Sequence, residues 1–215
     1  MFKNYEQLYM LPARIRIATI IRKAILSNEI KAGQELFLTT VAEQLNVSRT
    51  PVREAFQMLA SEGLLELRMN KGAIVKGINA DFIKDHYEVR ILLECEAVKK
   101  FIENNQDYLY LEKIHTEICD KNNFSFEEYK VYNQNFHINI WENCGNQKLK
   151  SLLMTLWNGP SYGKQISEIN HIKKSLEDHG KILGYIKKRD TLNACNEMKK
   201  HLQDSMNNLL NNYQN

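Results

Sequence analysis

Four polar side chains recur at helical spacing between residues 48 and 60. Arg49 and Arg53 are one turn apart on this predicted helix, and Thr50 and Gln57 share their face. Arginine bonds DNA phosphates and the acceptor edge of guanine, and small polar side chains fit around it in the major groove. The same pattern also occurs on an ordinary solvated surface helix, which is the competing interpretation.

Three of the 6 histidines also have a spacing that suits chemistry. His179 and His201 lie ten and twelve residues from a predicted turn at Arg189. At about 1.5 Å per residue, an antiparallel hairpin therefore brings the two imidazoles level. His137 on an earlier helix can add a third nitrogen, and three imidazoles suit zinc or nickel. The competing interpretation is three core histidines, each bonded to a hydroxyl or carbonyl group.

The two arginines need a rigid support, and the surrounding sequence predicts one. Residues 38–63 are typical of two short helices with a tight turn at Asn46. Thr40 and Glu43 have the spacing of a capping box for the first helix, and Ser48 can cap the second. Four apolar residues on the inner face of the second helix are expected in a core: Val52, Ala55, Phe56 and Leu59.

A strand hairpin is predicted directly after these helices. Residues 64–68 and 73–76 have strand character, with turn residues between them. A helix-turn-helix followed by such a hairpin is a winged helix, with Lys71 at the tip of the wing. A helix at 12–27 and a short strand at 35–37 are expected to complete this domain.

After Ile78 the sequence predicts helices alone, so we expect a mainly α protein. We expect two domains, a winged helix at 1–78 and an all-helical bundle at 79–215. We place the helices of the bundle at 81–104, 107–121, 125–143, 146–157, 165–188 and 191–211.

Charge and composition agree with this division. Residues 1–78 hold 11 Lys/Arg against 7 Asp/Glu, whereas residues 79–215 hold 18 against 19. The positive excess therefore lies in the segment with the arginines, as nucleic-acid binding requires. The 4 cysteines are scattered, which indicates reduced thiols in a cytoplasmic protein. The sequence predicts neither a secretory leader nor a membrane span.

Two stretches of the first domain resemble the GntR family of bacterial transcription regulators. They are Val-Ser-Arg-Thr-Pro-Val-Arg-Glu-Ala at 47–55 and Ala-Ser-Glu-Gly-Leu-Leu at 60–65. The resemblance covers about residues 10–78 and implies contacts with a double-stranded DNA operator. The DNA-binding residues that we predict are Arg49, Thr50, Arg53, Gln57, Asn70, Lys71 and Gly72.

The helical domain resembles the FadR-like branch of that family, whose ligand domain is called FCD. That domain has an Asp-x-x-x-His pair and two later histidines, which together bind a divalent metal. The resemblance assigns the pair to Asn133 and His137, with asparagine in place of aspartate, and the later histidines to His179 and His201. An amide oxygen carries no charge, so we expect this site to hold zinc or nickel more weakly than a carboxylate site.

In the related domains, an effector with a carboxylate group completes the coordination of the metal. The segment Tyr-Glu-Val-Arg-Ile-Leu-Leu-Glu at 87–94 resembles the helix that holds the other end of the effector. Arg90 is therefore the candidate clamp, because its planar fork can bond both carboxylate oxygens. An ion pair with Glu94, one turn further on, is an equal alternative.

These features predict a ligand-responsive bacterial transcription regulator, a repressor rather than an enzyme. It is expected to bind a palindromic operator as a homodimer and to sense a small carboxylate effector. One alternative is a metal-dependent hydrolase with an appended nucleic-acid domain. Such an enzyme needs a general base, for which the motif offers no obvious carboxylate and Glu94 is the only loose candidate. The other is an acyl-CoA sensor without metal, with its histidines in ordinary hydrogen bonds.

Overall fold

Two compact units make up the chain, and they divide between Phe82 and Ile83. The fold class predicted from the sequence, a winged helix followed by an all-α bundle, is confirmed. No helix in the described part of the chain is both long and apolar enough to cross a membrane. The computed structural model describes residues 12–69, 71–121, 123–157 and 169–213.

The first unit combines short helices with a small antiparallel sheet. The sheet has the order β1-β3-β2, so the last strand lies between the other two. Glu35 of the first strand and Glu66 of the second both lie opposite Ile74 of the central strand. The elements are α1 (Ala13–Leu26), β1 (Glu35–Phe37), α2 (Leu38–Gln44), α3 (Arg49–Ser61), β2 (Leu65–Arg68) and β3 (Gly72–Val75).

The core of this unit fixes the orientation of α3. All four apolar residues predicted for its inner face are at most 1% exposed. A buried ion pair ties the end of α3 to α1, since Arg22 donates from Nε to Glu62 at 2.7 Å and from Nη2 at 2.5 Å. Two parallel bonds between a guanidinium and a carboxylate restrict rotation as well as distance. The outer face of α3 is therefore presented by a rigid support.

The predicted capping of α2 was wrong. Strand β1 runs directly into the helix, so α2 begins at Leu38 after Phe37, with no side-chain cap. Thr40 consequently lies inside the first turn of α2 and does not start it. Ser48 does precede α3, but its side chain makes no capping hydrogen bond. The turn at Asn46 is present, with φ of +51°.

The wing depends on a glycine at a close backbone approach. Gly72 opens β3 opposite both Arg68 and Phe37 and has φ of +145°. A Cβ atom at this position would lie 1.9 Å from the carbonyl oxygen of Leu36. Lys71 beside it is exposed, whereas Asn70 lies outside the described residues.

The second unit is helical throughout its described residues. The predicted capping box is formed, because Ser125 accepts from the Glu128 amide at 3.2 Å and donates its own amide to the Glu128 carboxylate at 2.8 Å. A left-handed Arg189, with φ of +56°, turns the chain from the eighth to the ninth helix. The helices are α4 (Ala80–Glu103), α5 (Leu109–Cys119), α6 (Phe126–Asn143), α7 (Gln147–Trp157), α8 (Ile169–Lys187) and α9 (Thr191–Tyr213).

Gly72→Ala should destabilise the first unit, because the new Cβ collides with the Leu36 carbonyl group and the backbone conformation is strained. We expect the free energy of unfolding to fall by about 2–4 kcal/mol, measured by urea denaturation followed by circular dichroism. Gly33→Ala is the matched control, since φ is +82° there and nothing lies within 4 Å of the new Cβ. It should cost about 1 kcal/mol, and equal losses for the two variants would contradict the assignment.

Candidate DNA-binding helix and histidine cluster

The outer face of α3 carries the four polar residues predicted to contact DNA. Arg49, Thr50, Arg53 and Gln57 are all exposed. Within the part of the chain that the structure describes, neither arginine has an ion-pair or hydrogen-bond partner for its side chain. Two guanidinium groups one turn apart are thus available to phosphates or base edges.

Three imidazole rings from different helices meet inside the second unit. His137 of α6, His179 of α8 and His201 of α9 are 1%, 0% and 4% exposed. Their potential ligand atoms all lie within 4.8 Å of one another. The Nε2 atoms of His179 and His201 are 3.2 Å apart. The structure therefore brings together His179 and His201, which the hairpin spacing predicted to lie level, and His137, which could add a third nitrogen.

A buried carboxylate orients the first of these rings. Glu94 is 1% exposed and accepts three hydrogen bonds: from Nε of Arg90 at 2.7 Å, from Nδ1 of His137 at 2.6 Å and from Nε1 of Trp141 at 3.2 Å. Burial raises the pKa of Glu94, but the charges of His137 and Arg90 and their hydrogen bonds lower it to about 2. An ionised carboxylate only accepts, so the proton of His137 lies on Nδ1 and its Nε2 lone pair faces the cluster.

The other two rings also have an oxygen atom at their outer nitrogen. The Tyr132 hydroxyl lies 3.1 Å from Nδ1 of His179 and 2.7 Å from Nδ1 of His115. The Asp178 carboxylate lies 3.8 Å from Nδ1 of His201, at ion-pair distance. In each ring of the cluster, Nδ1 thus faces an oxygen atom, whereas Nε2 is left to face the other two rings.

The three Nε2 atoms that face the interior of the cluster are suited to coordinating a metal ion. Nε2 of His137 is buried and has no hydrogen-bond partner among the described residues. The facing Nε2 atoms of His179 and His201 need a proton or a cation between them, because two lone pairs repel. A buried polar atom without a partner costs free energy, which coordination of a cation would remove. Imidazole donors favour zinc, nickel and similar ions.

Electrostatics keep two of the three rings, His137 and His179, in the neutral form that binds metal. Burial lowers the pKa of His179 well below its usual value, and the neighbouring His201 and His137 lower it further. Burial also lowers the pKa of His137, although Glu94 opposes the shift. Both rings are therefore neutral at pH 7, and only a neutral imidazole coordinates a cation.

Asn133, the predicted fourth ligand, lies one turn before His137 on α6 and is half-buried. No hydrogen bond joins its amide to the three histidines within the described segments. Its role as a ligand stays a prediction.

Arg90 is 4% exposed and lies close to the cluster. Its guanidinium carbon is 4.8 Å from the ring centroid of Trp157 and 5.7 Å from that of Tyr87. Of the two roles that the sequence left open, the ion pair with Glu94 is formed. Burial and then the charge of Arg90 lower the pKa of His86, one turn earlier, to about 4. A contact of Arg90 with an effector stays a prediction.

Sequence reasoning missed most of the groups that surround the histidines. The sequence did not predict that Tyr132, Asp178 and His115 lie beside the cluster. One available signal was a carboxylate at a position where the helix pattern demands burial, as at Glu94. Another was the acid directly before a cluster histidine, as at Asp178 and His179.

Comparison with known proteins agrees with this architecture. Residues 14–75 match the bacterial regulatory proteins of the gntR family, and residues 85–204 match the FCD domain. The gluconate operon transcriptional repressor of Bacillus subtilis (strain 168) is 33% identical over 122 residues, which are 53% of this chain and 50% of that protein. The chain thus spans about half the length of this curated relative.

A second relative and a solved structure match over more of their length. The HTH-type transcriptional repressor RspR of Escherichia coli (strain K12) is 26% identical over 199 residues, 90% of this chain and 87% of that protein. The structure of E. coli McbR/YncC has a TM-score of 0.69 and 22% identity, covering 95% of this chain and 100% of the other. The likeness to that structure is one of fold.

Metal-free protein should lose stability as the pH falls from 7 to 4. A histidine with a lowered pKa in the folded state takes up a proton on unfolding below pH 6.5, so acid favours the unfolded chain. The lowering of the His86 pKa to about 4 alone corresponds to roughly 3 kcal/mol of stability lost on acidification. His86→Gln should therefore make the free energy of unfolding depend less on pH. This free energy is measured by urea denaturation at several pH values with a chelator present. Identical slopes for both proteins would contradict this account.

Proposed function

This chain belongs to the gntR family of bacterial regulatory proteins and carries an FCD domain, and we propose that it is a ligand-responsive transcription repressor. The family and its named relatives are transcription regulators, not enzymes, and the two relatives above are repressors. The observation that best supports this proposal is the exposed pair Arg49 and Arg53. Neither side chain has a partner within the described segments, and the inner face of their helix is buried in the core.

In this function, α3 enters the major groove of a double-stranded operator. Arg49 and Arg53 contact phosphates or guanine, and Thr50 and Gln57 contact neighbouring base edges. Lys71 of the wing, followed by Gly72, reaches the DNA backbone or the minor groove. A single recognition helix reads few base pairs, so a homodimer on a palindromic site is needed for useful affinity and specificity.

Exposed apolar side chains support pairing through the second unit. Val89 and Leu92 lie three residues apart on α4 and are 48% and 71% exposed. Large apolar side chains grouped on one helix face are typical of a protein interface. Packing of this face against its copy would place two recognition helices on one operator about a two-fold axis.

The second unit is proposed to sense a small carboxylate effector. His137, His179 and His201 would hold a divalent metal, zinc or nickel, with Asn133 as a further ligand. When bound, the metal supplies a Lewis-acidic position that takes up a carboxylate. Arg90 adds a buried positive charge beside the cluster, which favours an anion there. The effector must favour one operator-binding state by several kcal/mol to change DNA occupancy strongly.

The two alternative functions have less support. A hydrolase needs a general base, but Glu94 is saturated by three donors and has a pKa of about 2. A metal-free acyl-CoA sensor predicts histidines in ordinary hydrogen bonds, whereas Nε2 of His137 has no partner among the described residues. A metal-containing regulator accounts for both observations.

Replacing Arg49 and Arg53 together by alanine should weaken operator binding by at least about 30-fold, because each specific arginine contact contributes roughly 1–3 kcal/mol. The operator is first obtained by selecting random duplexes with the wild-type protein, and affinity is measured by fluorescence anisotropy. The matched control is Lys113→Ala with Lys173→Ala, which removes the same charge from exposed positions in the second unit. Unchanged binding by the arginine variant would reject α3 as the recognition helix.

His137→Ala with His179→Ala should abolish zinc binding, since two of the three converging nitrogens are lost. Bound metal is measured by elemental analysis of the purified protein and by calorimetric titration of zinc into metal-free protein. His171→Ala, on α8 but outside the cluster, is the control and should bind zinc like the wild type. A wild-type protein that takes up no zinc would reject the metal site.

A further inference from the structure

One carboxylate contacts both candidate binding sites of the second unit. Glu94 contacts the candidate effector clamp Arg90 through Oε1 and the cluster residue His137 through Oε2. We propose that Glu94 is a positioning residue that fixes the His137 tautomer and energetically links cation binding at the histidines to anion binding at Arg90. The linkage rests on the metal and effector sites proposed above and concerns how they are coupled.

The contacts of Glu94 leave little freedom. The side chain is 1% exposed and accepts from three N–H groups, one on Oε1 and two on Oε2. No neutral side chain of the same shape satisfies all three donors. The amide of a glutamine has one accepting oxygen, so its NH₂ group must face either Arg90 or the pair of His137 and Trp141. The site is therefore built for a carboxylate.

The first consequence concerns His137. A carboxylate 2.6 Å from Nδ1 holds the proton on that nitrogen, and the lone pair of Nε2 points toward the other two histidines. Without the carboxylate, the proton can move to Nε2 and block coordination. A carboxylate behind a ligating imidazole also increases its basicity, and loss of such a partner typically weakens metal binding by roughly 10- to 100-fold.

The second consequence concerns Arg90. If Nε2 of His137 held a cation, the Nδ1–H group of the ring would become a stronger donor to Oε2 of Glu94. Electron density drawn to Oε2 leaves Oε1 a poorer acceptor for the Nε–H group of Arg90. The guanidinium is then held less tightly by its own carboxylate and attracts an external anion more strongly. By reciprocity, an anion on Arg90 must strengthen cation binding by the same factor.

The first measurement needs no metal. Long-range ¹⁵N–¹H spectra of metal-free protein report which imidazole nitrogen of His137 carries the proton. We expect the Nδ1–H form in the wild type and a shift toward the Nε2–H form in Glu94→Gln. Glu96→Gln is the matched control, because it removes the same charge from a half-buried position on the same helix, where Glu96 pairs with Lys100 at 3.4 Å. This control should keep the wild-type tautomer.

The second measurement uses zinc alone as the probe, with affinity determined by competition with a chelator. Glu94→Gln should bind zinc roughly 10- to 100-fold more weakly, and Glu96→Gln should match the wild type. Arg90→Met, which removes the competing donor and the positive charge, should tighten zinc binding several-fold in the wild-type background. Combined with Glu94→Gln, it should tighten zinc binding by a clearly smaller factor, because only the direct repulsion between the Arg90 charge and the ion is then removed.

The outcomes separate this linkage from the proposed metal site. An Nε2–H tautomer of His137 in the wild type, or equal effects of Arg90→Met in both backgrounds, would overturn the role of Glu94. A wild-type protein without zinc affinity would overturn the metal site and the linkage with it, while the tautomer would still decide whether Glu94 positions His137. If Glu94→Gln does not fold, Glu94→Asp keeps the charge but is one carbon shorter, so it should reach Arg90 or His137 but not both.

Discussion

Three buried imidazole rings packed against one another are the constraint that shapes the second unit. Their burial is tolerated because the outer nitrogen of each ring faces an oxygen atom, from Glu94, Tyr132 or Asp178. The oxygen atoms in turn must be held, which explains why Arg90 and Trp141 also contact Glu94. The polar interior is a layered network in which each group restricts the next, so its inner nitrogens keep one orientation.

The first unit instead exposes positively charged side chains on a helix that is held rigidly by its core. α3 is amphipathic in the simplest way: Val52, Ala55, Phe56 and Leu59 are buried, and the arginines lie opposite. The two hydrogen bonds between Arg22 and Glu62 fix the end of this helix against α1. If α3 reads DNA as proposed, its rigid backbone would lose little conformational entropy on binding, so the packing of the core would contribute directly to recognition.

Periodic features of the sequence predicted the fold well, whereas features set by sheet pairing and tertiary packing were not predicted. The spacing of His179 and His201 around Arg189 was sufficient to place two imidazoles level, because a helical hairpin has a fixed rise per residue. The start of α2 was not predictable from Thr40, since strand β1 determined it through sheet pairing. The partners of the histidines were also missed, because Tyr132 and Asp178 approach them only through tertiary packing.

Both tryptophans of the chain flank the same imidazole, and the first unit has none. Trp141 bonds Glu94 behind His137, and the ring of Trp157 lies 5.4 Å from that of His137. Indole emission is sensitive to nearby charge and to hydrogen bonding at its N–H group. Tryptophan fluorescence of the unlabelled protein, excited selectively, therefore reports on the histidine pocket and contains no direct signal from the winged helix.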